Sequence, residues 1–264
     1  MLIAQISDTH LRADNSLMHG RIDTRRALAD AVAHINALDP RPDIVLATGD
    51  LVDRAQPGDY PLLRSMLDGL QMPVFVIPGN HDEREMMRGA FCDQGYLPSE
   101  GTFLHYAIED HPIRLIGLDT QRPGEVRGGL CRARLAWLRD RLDECPDRPT
   151  LVFMHHPPFA SGIVFLDRPA FEGAEDMAAI IADRPHVRQV ICGHIHRVIY
   201  LNWAGTCAAV APSTVYQMNL TFKPDVSFQL TDDPPAIALY RWRDGLGPVG
   251  YVSQIIRRKP ERDS

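Results

Sequence analysis

Six short apolar runs, rich in valine, isoleucine and leucine, constrain the fold of this chain more than any other feature of its sequence. They are residues 2–7 (LIAQIS), 43–49 (DIVLATG), 73–79 (PVFVIPG), 114–118 (RLIGL), 150–154 (TLVFM) and 187–193 (VRQVICG). Each run is about as long as a typical buried strand, and strands that are covered on both faces read as continuous apolar runs. The runs therefore predict buried β-strands.

Helical patterns lie between these runs. Apolar residues recur at helical spacing in the segments 23–38, 60–70, 130–144 and 174–183. Alternation of strands with helices predicts an α/β fold whose helices lie outside the sheet.

Polar residues that can bind metal ions follow five of the six runs directly. They are Asp8 and His10, Asp50 and Asp53, Asn80, His81 and Asp82, His155 and His156, and His194 and His196. Any one of these segments alone is also consistent with a surface turn or a helix cap. Ligands of open α/β sheets bind outside the carboxyl ends of the strands, so the coincidence of all five favours one shared site.

The residue types in these segments suit a transition-metal site. Carboxylate, amide oxygen and imidazole groups without a thiolate favour Zn, Mn, Fe or Co. In an Asp-x-His or His-x-His pair both side chains leave a strand end in the same direction, because the strand repeat is two residues. Gly49, Gly79 and Gly193 let the backbone turn sharply, so that the next residue faces the site.

In this order, the segments resemble the sequence blocks of the calcineurin-like metallophosphoesterases over about residues 1–200. The opening ISDTHL, together with VIPGNHD and FMHHPP, resembles the class III bacterial phosphodiesterases that act on cyclic nucleotides and glycerophosphodiesters. The resemblance implies a four-layer αββα sandwich, with two sheets flanked by helices.

The resemblance also implies two divalent metal ions and hydrolysis of small phosphodiesters by a hydroxide that the ions activate. One of the residues, Asp50, would bridge the two ions. The other implied ligands are Asp8, His10 and His196 for the first ion, and Asn80, His156 and His194 for the second.

His81 lies beside Asn80 but outside that ligand set. With Asp50 it is a candidate catalytic residue, because an imidazole can hydrogen-bond the phosphate or protonate the leaving oxygen. Structural support of the loop is the alternative. Asp53, Asp82 and His155 are expected behind the ligands, where a carboxylate that accepts the N–H of a ligand histidine fixes its tautomer. Which carboxylate serves which histidine stays open.

The overall charge bounds the partners. The formal net charge is −6 and no Lys/Arg-rich run occurs, which argues against non-specific nucleic-acid binding. The first apolar run is short and interrupted by Asp8, so neither a signal peptide nor a membrane span is expected there. Five cysteines without a CxxC pair indicate reduced thiols in a cytoplasmic protein.

The last third of the chain has a different pattern. We expect one domain over residues 1–255, with catalytic blocks in 1–200, C-terminal strands and a cap in 201–255, and a disordered tail over 256–264. Residues 216–235 form a proline-containing polar excursion that carries Leu220, Phe222, Val226 and Phe228. These side chains either fold back on their own core or pack against another subunit of a homo-oligomer.

Two other functions fit the same fold. A phosphomonoesterase acting on a nucleotide or phosphoprotein is one, because a single fold supports several substrates. A non-catalytic scaffold that has lost its metals is the other, and the presence of all seven implied ligands argues against it.

Overall fold

The computed structural model describes residues 1–245 and 247–255 of the chain. Strands and helices alternate along most of these residues, which contain five α-helices and one 3₁₀ helix (Cys92–Gln94). The helices are α1 (Thr24–Asn36), α2 (Asp59–Leu67), α3 (Arg84–Phe91), α4 (Arg132–Asp143) and α5 (Ala174–Ala182). The strands are β1 (Leu2–Ile6), β2 (Ile44–Thr48), β3 (Val74–Ile77), β4 (Tyr106–Ile108), β5 (Arg114–Leu118), β6 (Thr150–Met154), β7 (Val187–Cys192), β8 (Ile199–Trp203), β9 (Thr206–Val210), β10 (Ala236–Arg243) and β11 (Gly247–Gln254).

The strands form two mixed sheets. The first has the order β11-β10-β1-β2-β3, and the second has the order β4-β5-β6-β7-β9-β8. β1, β2 and β3 are parallel to one another, as are β5, β6 and β7, while β10, β11, β4 and β8 are antiparallel to a neighbour. The carboxyl ends of the parallel strands in each sheet therefore lie along one edge.

The two sheets pack face to face around one hydrophobic core. Gln5 of β1, which is fully buried, donates from Nε2 to the carbonyl of Cys192 in β7 at 2.9 Å, and so links the sheets through a hydrogen bond. Helices α1 and α2 connect strands of the first sheet and contact each other, whereas α4 and α5 do the same in the second. The predicted α/β fold with four αββα layers is confirmed.

The sequence patterns did not predict two elements of the core. β4 has only three residues and lies at the edge of its sheet. Helix α3 has only eight residues and buries Met87, Arg88 and Phe91 on one face, and the Glu83 carboxylate caps it by accepting from the amide of Met86 at 2.8 Å. Short elements give a weak periodic signal.

The C-terminal third consists of two hairpins with an excursion between them. Its residues 216–235 contain no regular strand, but Asn219 N donates to Gln229 O and Thr231 N to Gln217 O, at 2.9 and 3.1 Å. The predicted tail over 256–264 lies outside the described residues, and the single-domain organisation stays a prediction. Within the described part of the chain, no helix is long and apolar enough to cross a membrane.

Candidate metal centre

The centre lies where strand ends of both sheets meet. The first sheet supplies the segments that follow β1, β2 and β3, and the second supplies those that follow β6 and β7. All seven predicted ligands and the three residues expected behind them lie at this edge, linked through the contacts given below. The sequence predicted the strand ends; their division between two facing sheets came from the resemblance.

The first group of predicted ligands is compact. Nε2 of His196 lies 3.1 Å from Asp8 Oδ1 and 3.2 Å from His10 Nε2. One nitrogen or oxygen atom from each of the three residues falls within 4.8 Å of the others. Asp50 Oδ2 lies 4.0 Å from His10 Nε2, so this carboxylate borders the group.

The second group lies near enough to Asp50 for its charge to act on both His156 and His194. His156 Nε2 is 3.1 Å from Asn80 Oδ1, and the rings of His156 and His194 have their centres 4.7 Å apart. His155 also comes close, because its Nε2 lies 3.3 Å from Asp50 Oδ2. Its Nδ1 lies 2.7 Å from the carbonyl of Thr48, which fixes the ring behind the carboxylate.

The electrostatics of the centre fit bound cations. Asp8 and Asp50 are buried, and nearby histidines hold the pKa of both carboxyls low although burial alone would raise it. Burial lowers the pKa of His155, but the charges of Asp50 and Asp8 outweigh it and raise the pKa to about 9. Buried negative charge that draws a proton onto a histidine would also stabilise a bound divalent cation. The oxygen and imidazole donors therefore fit divalent metal ions.

Five of the seven predicted ligands have a left-handed backbone. Their φ angles lie between +41° and +71°, a region that residues other than glycine rarely adopt. The five are Asp8, His10, Asp50, His194 and His196. Strain of this kind concentrates at functional sites, where the surrounding structure holds it in place.

Two glycines let the ligand loops approach closely. A Cβ atom on Gly79 would lie 2.2 Å from Asp50 Oδ1, and one on Gly193 would lie 1.9 Å from Ser7 Oγ. Contacts that short do not occur, so any side chain at these positions would displace the ligand loops. Close approach, rather than a positive φ, explains glycine at both positions.

Asp53 supports both His10 and His81. Arg12 holds its carboxylate through two donors at 2.8 and 2.9 Å, and Oδ1 lies 3.6 Å from His10 Nδ1. Its backbone carbonyl accepts from His81 Nδ1 at 2.8 Å. Burial raises the pKa of this carboxyl, but His10 and Arg12 outweigh burial and lower it to about 2.

Asp82 supports the loops rather than a histidine ring. Its carboxylate accepts from the amides of Gly79, Leu51 and Val52 at 2.8–3.3 Å and from the Tyr60 hydroxyl at 3.1 Å. Burial and the charge of Asp50 raise its pKa to about 6. Asp82 thus fixes the backbone on which Asp50 and Asn80 lie.

His81 lies at the open side of the centre. Its amide donates to Asp50 Oδ1 at 2.8 Å, and its ring meets that of His10 edge-on with centres 4.7 Å apart. The side chain is 39% exposed, in contrast to the buried His10 and His156. Because Nδ1 meets the Asp53 carbonyl, Nε2 is the nitrogen that can face a substrate.

Two supporting contacts were not predicted. Thr120 Oγ1 lies 2.8 Å from His156 Nδ1, and the carbonyl of Tyr216 lies 3.1 Å from His196 Nδ1. Thr120 follows β5, so the rule that selected the other strand ends could have found it. The Tyr216 contact uses a backbone atom, and a pattern of side chains cannot predict such a contact.

Comparisons with known proteins give consistent results. The sequence profile of the calcineurin-like phosphoesterases matches residues 1–198. A probable glycerophosphodiester phosphodiesterase of Arcobacter nitrofigilis is 35% identical over 256 residues, which cover 97% of this chain and 93% of that protein. The 3',5'-cyclic adenosine monophosphate phosphodiesterase of Escherichia coli K12 is 31% identical over 225 residues, covering 85% and 78%.

Solved structures show the same fold at low identity. A dimetal phosphatase from Danio rerio superimposes with a TM-score of 0.68 and 14% identity, covering 97% of this chain and 99% of that protein. At this identity the likeness concerns the fold alone.

Proposed function

This chain belongs to the calcineurin-like phosphoesterase family, and from that membership we infer that it is a metal-dependent phosphodiesterase acting on small phosphodiesters. The observation that supports the inference is the convergence of two groups of possible metal ligands next to the buried Asp50 carboxylate. Relatives named glycerophosphodiester phosphodiesterases are 35% identical to this chain, against 31% for the cyclic AMP phosphodiesterase of Escherichia coli, so a glycerophosphodiester is the substrate class we favour.

We propose that the centre holds two divalent ions, of Fe, Mn, Zn or Co, with Asp50 shared between them. The other ligands would be Asp8, His10 and His196 for one ion, and Asn80, His156 and His194 for the other. When bound, such ions neutralise the charge of the phosphate and lower the pKa of a water molecule.

The chain's own residues would orient the diester and handle the proton. His81 Nε2 is placed to hydrogen-bond a phosphate oxygen or to give a proton to the departing alkoxide. Asp53 holds that ring through its carbonyl, and Asp82 holds the loop that carries it. His155 backs the Asp50 carboxylate from the buried side.

Chelation and substrate comparison test this function. We expect a chelator to remove both activity and metal, and a divalent ion of the proposed set to restore activity. The refilled protein should turn over bis(p-nitrophenyl) phosphate faster than p-nitrophenyl phosphate, and should release glycerol 3-phosphate from a glycerophosphodiester.

The alternatives predict other results. A preference for the monoester would favour a phosphomonoesterase, and hydrolysis of cyclic AMP but not of glycerophosphodiesters would replace the favoured substrate. A purified protein that binds no metal and has no activity on any of these would favour the scaffold.

We also propose a homo-oligomer whose contact includes the excursion 216–235. Leu220 and Phe222 are 55% and 67% exposed, so these two side chains do not fold back on the core. Phe228 lies against His19 and near Tyr216, whose ring packs on His196, so the excursion walls one side of the centre. An exposed apolar surface next to an active site commonly marks an interface.

Sedimentation of the intact protein should show a dimer or larger species. A double variant, Phe222→Asp with Phe228→Asp, should shift it toward the monomer, while Tyr251→Asp, which changes an exposed aromatic residue of β11, should not. A monomeric wild type at micromolar concentration would refute the interface, and an oligomer that the double variant leaves intact would place the contact elsewhere.

The setting of the protein is a further proposal. The five cysteines are all unpaired, and two of them, Cys92 and Cys207, are exposed. Exposed free thiols are typical of a reducing compartment, so we propose that the protein acts in the cytoplasm.

The formal net charge of −6 supports small substrates rather than non-specific binding of nucleic acid.

A further inference from the structure

A cavity of about 110 Å³ opens beside the second ligand group. His156 and His194 form one end of it, so the cavity is continuous with the centre. Its other walls come mainly from residues 157–171, with the side chains of Phe159, Leu166 and Phe171 facing it. The loop of residues 157–171 therefore places an apolar chamber next to the position where a phosphate would bind.

The two charged residues in the wall of this cavity are already paired. Arg127 Nε donates to the carboxylate of Glu125. The Asp167 carboxylate accepts from the amides of Ser161 and Gly162, at 2.7 and 2.8 Å, and from the Ser161 hydroxyl at 2.7 Å. Because both side chains make these contacts within the fold, the surface of the chamber that remains for a ligand is mainly apolar.

The loop of residues 157–171, which forms the chamber, is tied to the rest of the fold. Glu172 N donates to Gly128 O at 3.2 Å, and Leu130 N donates to Glu172 O at 2.9 Å, which ties its end to the segment after β5. Ile163 is fully buried and anchors its middle. A preformed site loses little conformational entropy on binding.

We propose that this cavity is a subsite for one alcohol substituent of the phosphodiester, and that it takes a small, neutral, apolar group. The proposal rests on the proposed phosphodiesterase function and adds a preference that the metal centre alone does not give. An apolar cavity of 150 Å³ holds a benzene ring, so this chamber suits a shorter chain, of about four carbons.

Alkyl p-nitrophenyl phosphates test the subsite, because the leaving group stays the same while the alkyl group grows. In the metal-loaded protein, kcat/KM should rise about fourfold for each methylene from methyl through butyl, the gain expected for burying one CH₂. Leu166→Asp should abolish the rise, and Phe171→Ala should reduce it. The matched control Tyr251→Ala removes an exposed aromatic side chain from β11, outside this cavity, and should keep the wild-type slope.

The possible failures are distinguishable. If no member of the series is hydrolysed by the metal-loaded protein, the proposed function fails. If all are hydrolysed with kcat/KM values within twofold of one another, the function stands and the apolar subsite is overturned. A slope that persists in both Leu166→Asp and Phe171→Ala would also overturn it, since the chain-length preference would then arise elsewhere.

Discussion

Replacement of Asp50 by alanine should leave no measurable turnover and should lower the metal content of both ligand groups. The Asp50 carboxylate lies 3.3 Å from His155 Nε2 and 4.0 Å from His10 Nε2, and it accepts the His81 amide at 2.8 Å. Its loss would remove one negative charge from both of the proposed coordination shells at once. Diester hydrolysis, measured together with metal analysis of the purified variant, checks the prediction.

Asp147→Ala is the matched control, because it removes an exposed carboxylate from the segment before β6 and should change neither activity nor metal content. Thermal unfolding of Asp50→Ala separates lost coordination from lost folding. Near-normal turnover with two bound metal ions would remove Asp50 from the ligand set and with it the shared-carboxylate arrangement.

The location of the candidate centre could be predicted from sequence because its residues closely follow buried strands. Asp8, Asp50 and Asn80 each come two or three residues after a strand of the first sheet. His156 and His194 each come two residues after a strand of the second. Apolar runs locate strands well, and parallel strands bring their carboxyl ends to one edge. The residues that meet there were therefore found without knowing the packing.

The supporting contacts depend on packing and could not be predicted in detail. Asp53 and Asp82 are both acids next to the predicted ligands, yet one lies beside a histidine ring and the other accepts backbone amides. Only the turn geometry of the loops decides between these roles. The Tyr216 carbonyl reaches His196 from 20 positions along the chain, a contact that depends on the course of the backbone.

The predicted ligands with a left-handed backbone also show the limits of prediction from sequence. Short sequence motifs such as Asp8-x-His10 and His194-x-His196 indicate that two side chains leave a strand end together, but the strand repeat does not continue there. All four residues have positive φ angles, so a turn rather than an extended strand directs them. The predicted proximity is present in the structure, whereas the backbone geometry assumed for it was wrong.

His81→Ala should keep both metal ions and slow turnover by about 10²–10⁴-fold, the range associated with loss of a general acid or a positioning group. The side chain is 39% exposed, and its Nδ1 contacts the Asp53 carbonyl. The hydrogen bond from residue 81 to Asp50 is donated by the backbone amide, so the variant leaves it in place. If the ring protonates the leaving oxygen, the slowing will be larger for glycerol or ribose alkoxides than for p-nitrophenolate, which departs without a proton.

His81→Asn separates the two roles, because an amide side chain can donate a hydrogen bond to the phosphate but cannot supply a proton to the alkoxide. Recovery of turnover on p-nitrophenyl substrates by this variant, without recovery on diesters whose leaving group is an alkoxide, is the result expected for a general acid. Equal slowing of all substrates by His81→Ala would leave His81 only a role in positioning the phosphate. Loss of a metal ion from His81→Ala would instead make His81 part of the coordination shell, and unchanged turnover would reduce it to support of the loop.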